Sequence, residues 1–334
     1  MFDIPIAIIT FKRVDKTVQI VNQIKKVQPR KLYILSDQGR TEEEIELVNK
    51  CRNAVEECID WDCEVVKRYA EKNIGVFNNI GNGARWVFER EPVAIFLEDD
   101  NFPELSFFSY CKQMLEKYYE DDRILWVCGT NYLGKYRPKD GSDILFSQQL
   151  FPCGWASWSH KFLKYYDGEL QALKNDPCAW DSIHSRYKNE ALYIQQKDSI
   201  TREFIRIQNE MLPRSWDFQM IFSLKYYNKL GILPKYNQIR NIGDDAFSEH
   251  GGTSLKLPMT RRFCQIPTYM MPERIKTPAF VEEEDCYRKK AEHIILLPWK
   301  SRAKSKMNTL IKKMLHIPNN VPIREAMFNR GKRG

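Results

Sequence analysis

Long hydrophobic runs are missing from this sequence. No segment is apolar over enough residues to span a bilayer, and the first residues lack the basic, apolar and small-residue pattern of a signal peptide. Met1, Phe2 and Asp3 lead directly into an apolar segment of strand length. We therefore expect a cytoplasmic protein. With 334 residues, of which 43% are hydrophobic and 29% charged, the chain has enough apolar surface for an ordinary globular core.

Cysteine pairs with the spacing of a metal site or a disulfide framework are also absent. The nine cysteines are scattered and odd in number, and none forms a C-x-x-C pair. This pattern indicates neither a zinc site nor a set of disulfides, and we expect most of the cysteines to be small buried residues. The sequence has no internal repeat, and no groove-reading or aromatic motif accompanies its basic residues, so no nucleic-acid partner is expected.

Net positive charge is confined to the C-terminal part of the sequence. The formal net charge is +8, and residues 300–334 contain ten Lys or Arg against one acid, a balance of +9 that leaves about −1 for residues 1–299. Apolar residues recur at helical spacing among these cations, at Met307, Leu310, Ile311, Met314 and Leu315, with Lys304, Lys306, Lys312 and Lys313 around them. We predict a separate amphipathic tail that lies on an anionic membrane or a charged partner. A solvated basic tail and a helix docked on the domain are the alternatives.

Strand and helix patterns alternate through the first hundred residues. Residues 4–11 form a β-branched run that predicts a buried strand, the apolar spacing over residues 14–27 predicts a helix, and residues 31–35 predict a second strand. A helix at 42–59, a strand at 63–69, a Gly- and Asn-rich loop at 73–81 and a short helix before Pro92 follow. Alternation of this kind predicts an α/β fold with a mainly parallel central sheet flanked by helices, which binds ligands at the carboxyl ends of its strands.

An apolar run at residues 93–97 ends in three consecutive acids, Glu98, Asp99 and Asp100. A central parallel strand that emerges into a crevice has this pattern. Three adjacent carboxylates repel one another, and a hard divalent cation such as Mn2+ or Mg2+ relieves that repulsion and can also hold a diphosphate. The alternative is a strand followed by a solvated acidic turn.

The second part of the chain is less regular. A helix is predicted at 107–119, a buried strand at 124–131 and helical and connecting segments at 161–212. Residues 215–220 then open an apolar helix, 220–227, with an acid, Asp217, in its first turn. We divide the chain into a domain of residues 1–299, with a nucleotide-binding half to about residue 130 and an acceptor half after it, and a tail of residues 300–334.

Five segments, in this order, resemble the GT-A nucleotide-sugar glycosyltransferases, in particular the family-two enzymes and the inverting N-acetylglucosaminyltransferase I group. They are Thr10-Phe11-Lys12-Arg13 after the first strand, the turn Ser36-Asp37-Gln38-Gly39, the triplet Glu98-Asp99-Asp100, Gly154-Trp155 with Trp158, and Trp216-Asp217. A sixth segment, Arg240-Asn241-Ile242-Gly243 followed by His250, is similar to the loop that closes over the donor. The resemblance implies a Rossmann-like GT-A fold and a metal-dependent inverting transfer of a sugar from a UDP-sugar to a hydroxyl of a glycan or glycolipid, as in polysaccharide biosynthesis.

The resemblance also implies roles for the matched residues. Thr10 and Phe11 would meet the uracil, Arg13 a phosphate, and Asp37 the uracil imide N–H. Asp100 would coordinate Mn2+ or Mg2+, with Asp99 near the ribose and Glu98 near the sugar hydroxyls, while His250 would be a further ligand of the metal or the diphosphate. Gly154 and Trp155 would bound the sugar pocket. Asp217 would be the general base, with Asp181, which follows Trp180, as the alternative.

Simpler structural roles and two other functions compete with these assignments. Asp37 suits an Asx-turn, Asp217 suits the first turn of a helix, and Trp158 suits the core. A sugar-nucleotide nucleotidyltransferase would share the alternating fold, but the segment after the first strand, residues 10–14, lacks the glycines of its phosphate loop. A non-catalytic nucleotide- or glycan-binding relative is the third hypothesis, against which the intact Asp100 and Asp217 argue.

Overall fold

A mixed sheet of eight strands forms the centre of the protein in the computed structural model, which describes residues 1–244, 258–315 and 317. The strands of the chain are β1 (Ile6–Thr10), β2 (Lys31–Ser36), β3 (Glu64–Tyr69), β4 (Val93–Glu98), β5 (Asn101–Pro103), β6 (Ile124–Cys128), β7 (Ile144–Ser147), β8 (Trp155–Trp158), β9 (Leu230–Pro234) and β10 (Ile239–Asn241). The main sheet has the order β3-β2-β1-β4-β8-β6-β9-β7, and β5 pairs with β10 in a separate two-stranded sheet.

Helices cover both faces of the main sheet. The α-helices of the described ranges are α1 (Val14–Val27), α2 (Glu42–Glu57), α3 (Asn82–Phe88), α4 (Ser106–Lys117), α5 (Ser159–Tyr165), α6 (Gln171–Asn175), α7 (Ala179–His184), α8 (Glu190–Gln208), α9 (Asp217–Tyr226), α10 (Pro258–Phe263), α11 (Asp285–Ile295) and α12 (Trp299–Met314). Alternate residues of each strand pack against opposite helix layers, so that Ala7 and Ile9 belong to one apolar cluster and Ile6 and Ile8 to the other. No helix in the described ranges is long and apolar enough to cross a bilayer.

Most neighbouring strands run in the same direction, which confirms the predicted α/β class. β1 pairs in parallel with β2 and with β4, β2 pairs in parallel with β3, and β6 pairs in parallel with β9. The register places Thr10 beside Ser36 and Ile9 beside Glu98. The carboxyl ends of the three central strands therefore meet at one edge of the sheet, and this edge carries the candidate site.

Several predicted elements are confirmed and others are wrong. The helix at 14–27 and the strands ending at Ser36 and Glu98 are present. Part of the segment expected to be a loop is a π-helical turn, Phe77–Gly81, which continues into α3. The antiparallel strand β8, between β4 and β6, was not expected. All nine cysteines are described and free, but four are buried and four partly buried, fewer fully buried than expected.

Candidate active site

Arg13 joins two acids of the triplet. Its Nη1 atom donates to Oδ1 of Asp99 at 2.8 Å and to Oδ2 of Asp100 at 3.0 Å. The side chains of the three residues are only 14%, 10% and 16% exposed, respectively. Arg13 precedes α1 directly after β1, and the acids follow β4, so the parallel pairing of β1 and β4 is what brings them together. A partly buried cation thus faces the two carboxylates at the end of the sheet.

Negative charge exceeds positive charge in this cluster. Burial raises the pKa of Glu98 well above its usual range, and the nearby carboxylates of Asp100, Asp99 and Asp217 raise it further, against the opposing effect of Arg13. Burial also raises the pKa of Asp99 to about 6, although Arg13 favours its charged form. The structure therefore places Asp217 within electrostatic reach of the acid triplet, although Asp217 belongs to the second half of the chain.

Asp100 is enclosed by the small β5–β10 sheet. The Asn101 side chain donates to Oδ1 of Asp100 at 2.6 Å, and the N–H of Gly154 donates to Oδ1 of Asn101 at 2.7 Å. On the other side, the N–H of Ile242 donates to the carbonyl oxygen of Asp100 at 2.8 Å. A Cβ atom on Gly243 would overlap Oδ2 of Asp100, so only glycine permits this close approach. The segment that resembles a donor-closing loop thus begins directly over the candidate metal ligand.

Asp217 is the first residue of α9, and its position is fixed from two sides. The Ser215 hydroxyl donates to Oδ1 of Asp217 and accepts from the N–H of Phe218 at 3.0 Å, which caps the helix. Glu203 of α8 accepts from the N–H groups of Arg214, at 2.7 Å, and of Ser215. One carboxylate oxygen of Asp217 is thus held by Ser215, and the segment before the helix is tied to the buried Glu203.

Asp37 holds the loop that follows β3. Its Oδ1 accepts from the N–H groups of Gln38 and Ile74, both at 2.8 Å, and its Oδ2 accepts from the N–H of Gly75 at 2.9 Å and the side chain of Asn73 at 3.2 Å. Four donors fill the acceptor capacity of a carboxylate. The predicted hydrogen bond from a uracil imide would have to displace one of these donors.

Trp155 does not present an aromatic face to a sugar, contrary to the expectation for Gly154 and Trp155. It is 1% exposed, and its ring stacks between Phe96 and Trp126, with centroid distances of 4.0 and 4.1 Å. Both faces are therefore covered by core side chains. Gly154 has φ +59° and lies against Ile239, where a side chain would be strained. Trp158 is fully buried, as expected of a core residue.

Other residues of the predicted site lie at the same edge of the sheet or outside the described ranges. The hydroxyl of Thr10 is buried and has no hydrogen-bond partner within the described part of the chain, and Phe11 beside it is partly exposed. Asp181 is exposed on α7. His250 lies outside the residues that the structure describes, so its role stays a prediction. Among the described residues, no three His, Cys, Asp or Glu side chains are grouped to hold a metal ion.

Sequence reasoning missed several residues that shape this region. Glu203 is a buried residue of α8. An acid in a helix is usually expected to face solvent, and no sequence pattern near Glu203 indicates that it is buried. Tyr132 is partly buried and Tyr166 is buried near Asp217, whose charge adds to the effect of desolvation in raising the pKa of each phenol. Lys16, whose ammonium donates to the carbonyl of Ile242, was detectable because it lies one helical turn after Arg13.

Comparison with known proteins gives weak similarities. The sequence matches no protein-family model and no curated protein. Among solved structures it is similar to an active-site mutant of LgtC, with 10% identity over 90% of this chain and 99% of that one and a TM-score of 0.33. It is also similar to UDP-glucose pyrophosphorylase complexed with UDP-glucose, with 9% identity over 72% and 93% of the chains and a TM-score of 0.34. For HddC from Yersinia pseudotuberculosis the values are 12% identity, 38% of this chain, 59% of that chain, and a TM-score of 0.25. Similarity at this level assigns no function.

Proposed function

We propose that the protein is a metal-dependent inverting glycosyltransferase that moves a hexosyl or N-acetylhexosaminyl group from a nucleoside diphosphate sugar, a UDP-sugar, to a hydroxyl of a glycan or glycolipid. The observation that carries the proposal is the convergence of Glu98, Asp99 and Asp100, at the end of β4, with Arg13 and with Asp217 at the start of α9. Such a cluster has ligands for a cation, a cation for a phosphate and a separate carboxylate for a proton.

The nucleotide would bind across the carboxyl ends of β1 and β2. Thr10 ends β1 at this edge, where its buried hydroxyl has no partner among the described residues, and the partly exposed ring of Phe11 is a surface on which a base can stack. The guanidinium of Arg13 lies beside them and suits a phosphate. The loop after β3, held by Asp37, borders the same region.

The residues present fit a hard divalent cation. Asp100, with Asp99 beside it, offers carboxylate oxygens, which Mn2+ and Mg2+ prefer, and such ions are commonly held by one or two carboxylates together with substrate phosphates. A dedicated cage of three protein ligands is therefore not required. When bound, the cation would neutralise charge on the departing diphosphate. Arg13 pairs with the same two acids and compensates their charge when no other cation does so.

Asp217 would act as the general base. The acceptor hydroxyl loses its proton to Asp217 while its oxygen forms a bond to the anomeric carbon and the bond from that carbon to the diphosphate breaks. Inversion follows because the attacking oxygen and the leaving group lie on opposite faces of the sugar. The hydrogen bond from Ser215 occupies Oδ1 of Asp217, which leaves Oδ2 as the proton acceptor.

A panel of nucleotide sugars with Mn2+ or Mg2+ tests the proposal by measuring release of the nucleoside diphosphate. We expect release from one or more UDP-sugars and an increase when oligosaccharide or glycolipid acceptors are added. Pyrophosphate formed from a nucleoside triphosphate and a sugar phosphate would instead identify a nucleotidyltransferase. UDP binding without turnover of any donor would identify a non-catalytic relative.

Asp100→Asn tests the metal site separately. Calorimetry should show that UDP binds to the native protein with Mn2+ and at least about tenfold more weakly without it, and that Asp100→Asn removes this dependence. The matched control is Asp198→Asn, which changes an exposed acid on α8. Equal binding with and without Mn2+ by the native protein and by Asp100→Asn would overturn the metal assignment.

A further inference from the structure

An apolar stripe runs along the solvent-facing side of α12. It consists of Trp299, Ala303, Met307, Leu310 and Met314, which follow one another at spacings of three or four residues and so share one face of the helix. All five are exposed, and Met314 is 78%, Trp299 66% and Leu310 61% exposed. Scattered exposed apolar residues are ordinary, but a continuous row on one helix face marks an interaction site.

The chain that leads into α12 is bound to the domain, and one flank of the helix beside the stripe is partly buried. Ile311 and Leu315, which the sequence pattern placed on the same apolar face as Met307 and Leu310, are instead partly buried. The side chain of Gln195, on α8, donates to the carbonyl of Ile295 at 3.2 Å and accepts from the N–H of Leu297 at 2.8 Å. These bonds fix the chain just before α12. The stripe therefore faces away from the domain instead of docking on it.

The sequence of α12 carries positive charge only. Residues 299–314 contain six Lys or Arg and no acid, and the exposed Lys300 lies next to Trp299. Helices that lie in the surface of a membrane combine such an apolar face, often with Trp, and a basic polar face. Because no described helix is apolar enough to cross a bilayer, α12 is suited to lie along the surface and not to insert across it.

We propose that α12 binds an anionic lipid bilayer, with the stripe in the boundary between headgroups and acyl chains. The positive charge of the helix is attracted to the lipid phosphates while the stripe is buried. The positive charge selects an anionic surface over a neutral one. A row of Trp, Leu and Met matches a fluid apolar layer, which needs no complementary shape. This proposal does not depend on the chemistry of the candidate active site.

Vesicle flotation of the full chain tests it. The protein should float with vesicles of phosphatidylcholine mixed with phosphatidylglycerol and stay in solution with pure phosphatidylcholine vesicles. The double variant Met307→Glu/Leu310→Glu should lose at least about tenfold in binding, because two side chains leave the apolar layer and two negative charges are added. The matched control is Met270→Glu/Phe280→Glu, which changes two residues that are 60% and 75% exposed away from α12. This control should bind like the native chain.

A second variant distinguishes the loss of apolar surface from the effect of added negative charge. Met307→Ser/Leu310→Ser removes apolar surface without adding charge and should also weaken binding, with circular dichroism unchanged in all variants. Failure of the native chain to float with anionic vesicles would overturn the proposal, as would equal losses in the stripe and control variants. Binding by the serine variant at the native level would show that charge alone acts, which would also overturn it.

Discussion

Gly243 lies so close to Asp100 that a side chain at Gly243 would overlap the carboxylate of Asp100. The contact joins the end of β4 to the segment after β10, two parts of the chain that the β5–β10 pairing holds together. Because Asp100 is the candidate metal ligand, a side chain at Gly243 would displace a carboxylate of the candidate site.

Gly243→Ala should therefore weaken UDP binding in the presence of Mn2+ by about tenfold or more, since relieving such an overlap costs about 1 to 3 kcal/mol. Calorimetry measures the loss. Gly231→Ala is the control, because a Cβ there would meet its nearest neighbours at 3.6 Å, an ordinary contact distance. Native affinity in Gly243→Ala would show that this segment does not cover Asp100 when UDP is bound.

Asp217→Asn should lower the transfer rate by about 10² to 10⁴-fold, because the amide cannot take the proton of the acceptor hydroxyl. The affinity for UDP and Mn2+ should stay near native, since the base acts in the transition state. Asp181→Asn, which removes the exposed alternative base, should transfer sugar at the native rate. A native rate in Asp217→Asn, or a product with the anomeric configuration of the donor, would refute the mechanism.

Glu203→Gln should reduce kcat by about tenfold while the KM for the donor changes little. The neutral amide is a weaker acceptor for the N–H groups of Arg214 and Ser215, so the start of α9 and Asp217 would be held less firmly. Glu190→Gln, on the exposed start of the same helix, is the matched control. A parallel loss of kcat and thermal stability in both variants would indicate a general structural effect.

Because of Lys225, the free energy of unfolding should be larger at mildly alkaline pH than at neutral pH. Burial lowers the pKa of this lysine to about 8, against the nearby Glu283 and Glu292, which favour its charged form; Arg288 and Arg186 lower it further. Between pH 8 and the unfolded pKa of about 10.5, the unfolded chain binds more protons at this residue than the native protein. The free energy of unfolding should therefore rise with pH in this window, by up to about 3 kcal/mol at about 1.4 kcal/mol per pH unit.

Denaturation curves of the native protein and Lys225→Met at several pH values isolate this contribution. The variant should be the more stable protein at pH 7, and its advantage should shrink as the pH rises from 8 towards 10. Lys174→Met, at an exposed position, should show a difference from the native protein that does not vary with pH. A constant difference for Lys225→Met would show that Lys225 does not titrate in this range.

The sequence predicted those structural elements whose residue pattern lies within one short segment. The spacing of apolar residues predicted α1, and the acid triplet marked the end of β4. Four residues such as Trp155–Trp158 carry no information on strand direction, so the antiparallel β8 was missed. Residues of a type expected in a binding site can also have structural roles. Trp155 fills the core because partners distant in sequence cover its faces, and Asp37 binds backbone N–H groups that lie 37 and 38 residues away.

The pairing of β1 with β4 also affects the order in which the site can form. Arg13 and Asp99 are 86 residues apart, and their strands become neighbours only after a long loop has closed. Asp217 joins them later still during synthesis, since its helix follows most of the sheet. A nascent chain that has completed β4 thus contains Arg13 and the acid triplet but not yet Asp217. Under the proposed function, the residues assigned to the phosphate and the cation are therefore synthesised well before the proposed general base.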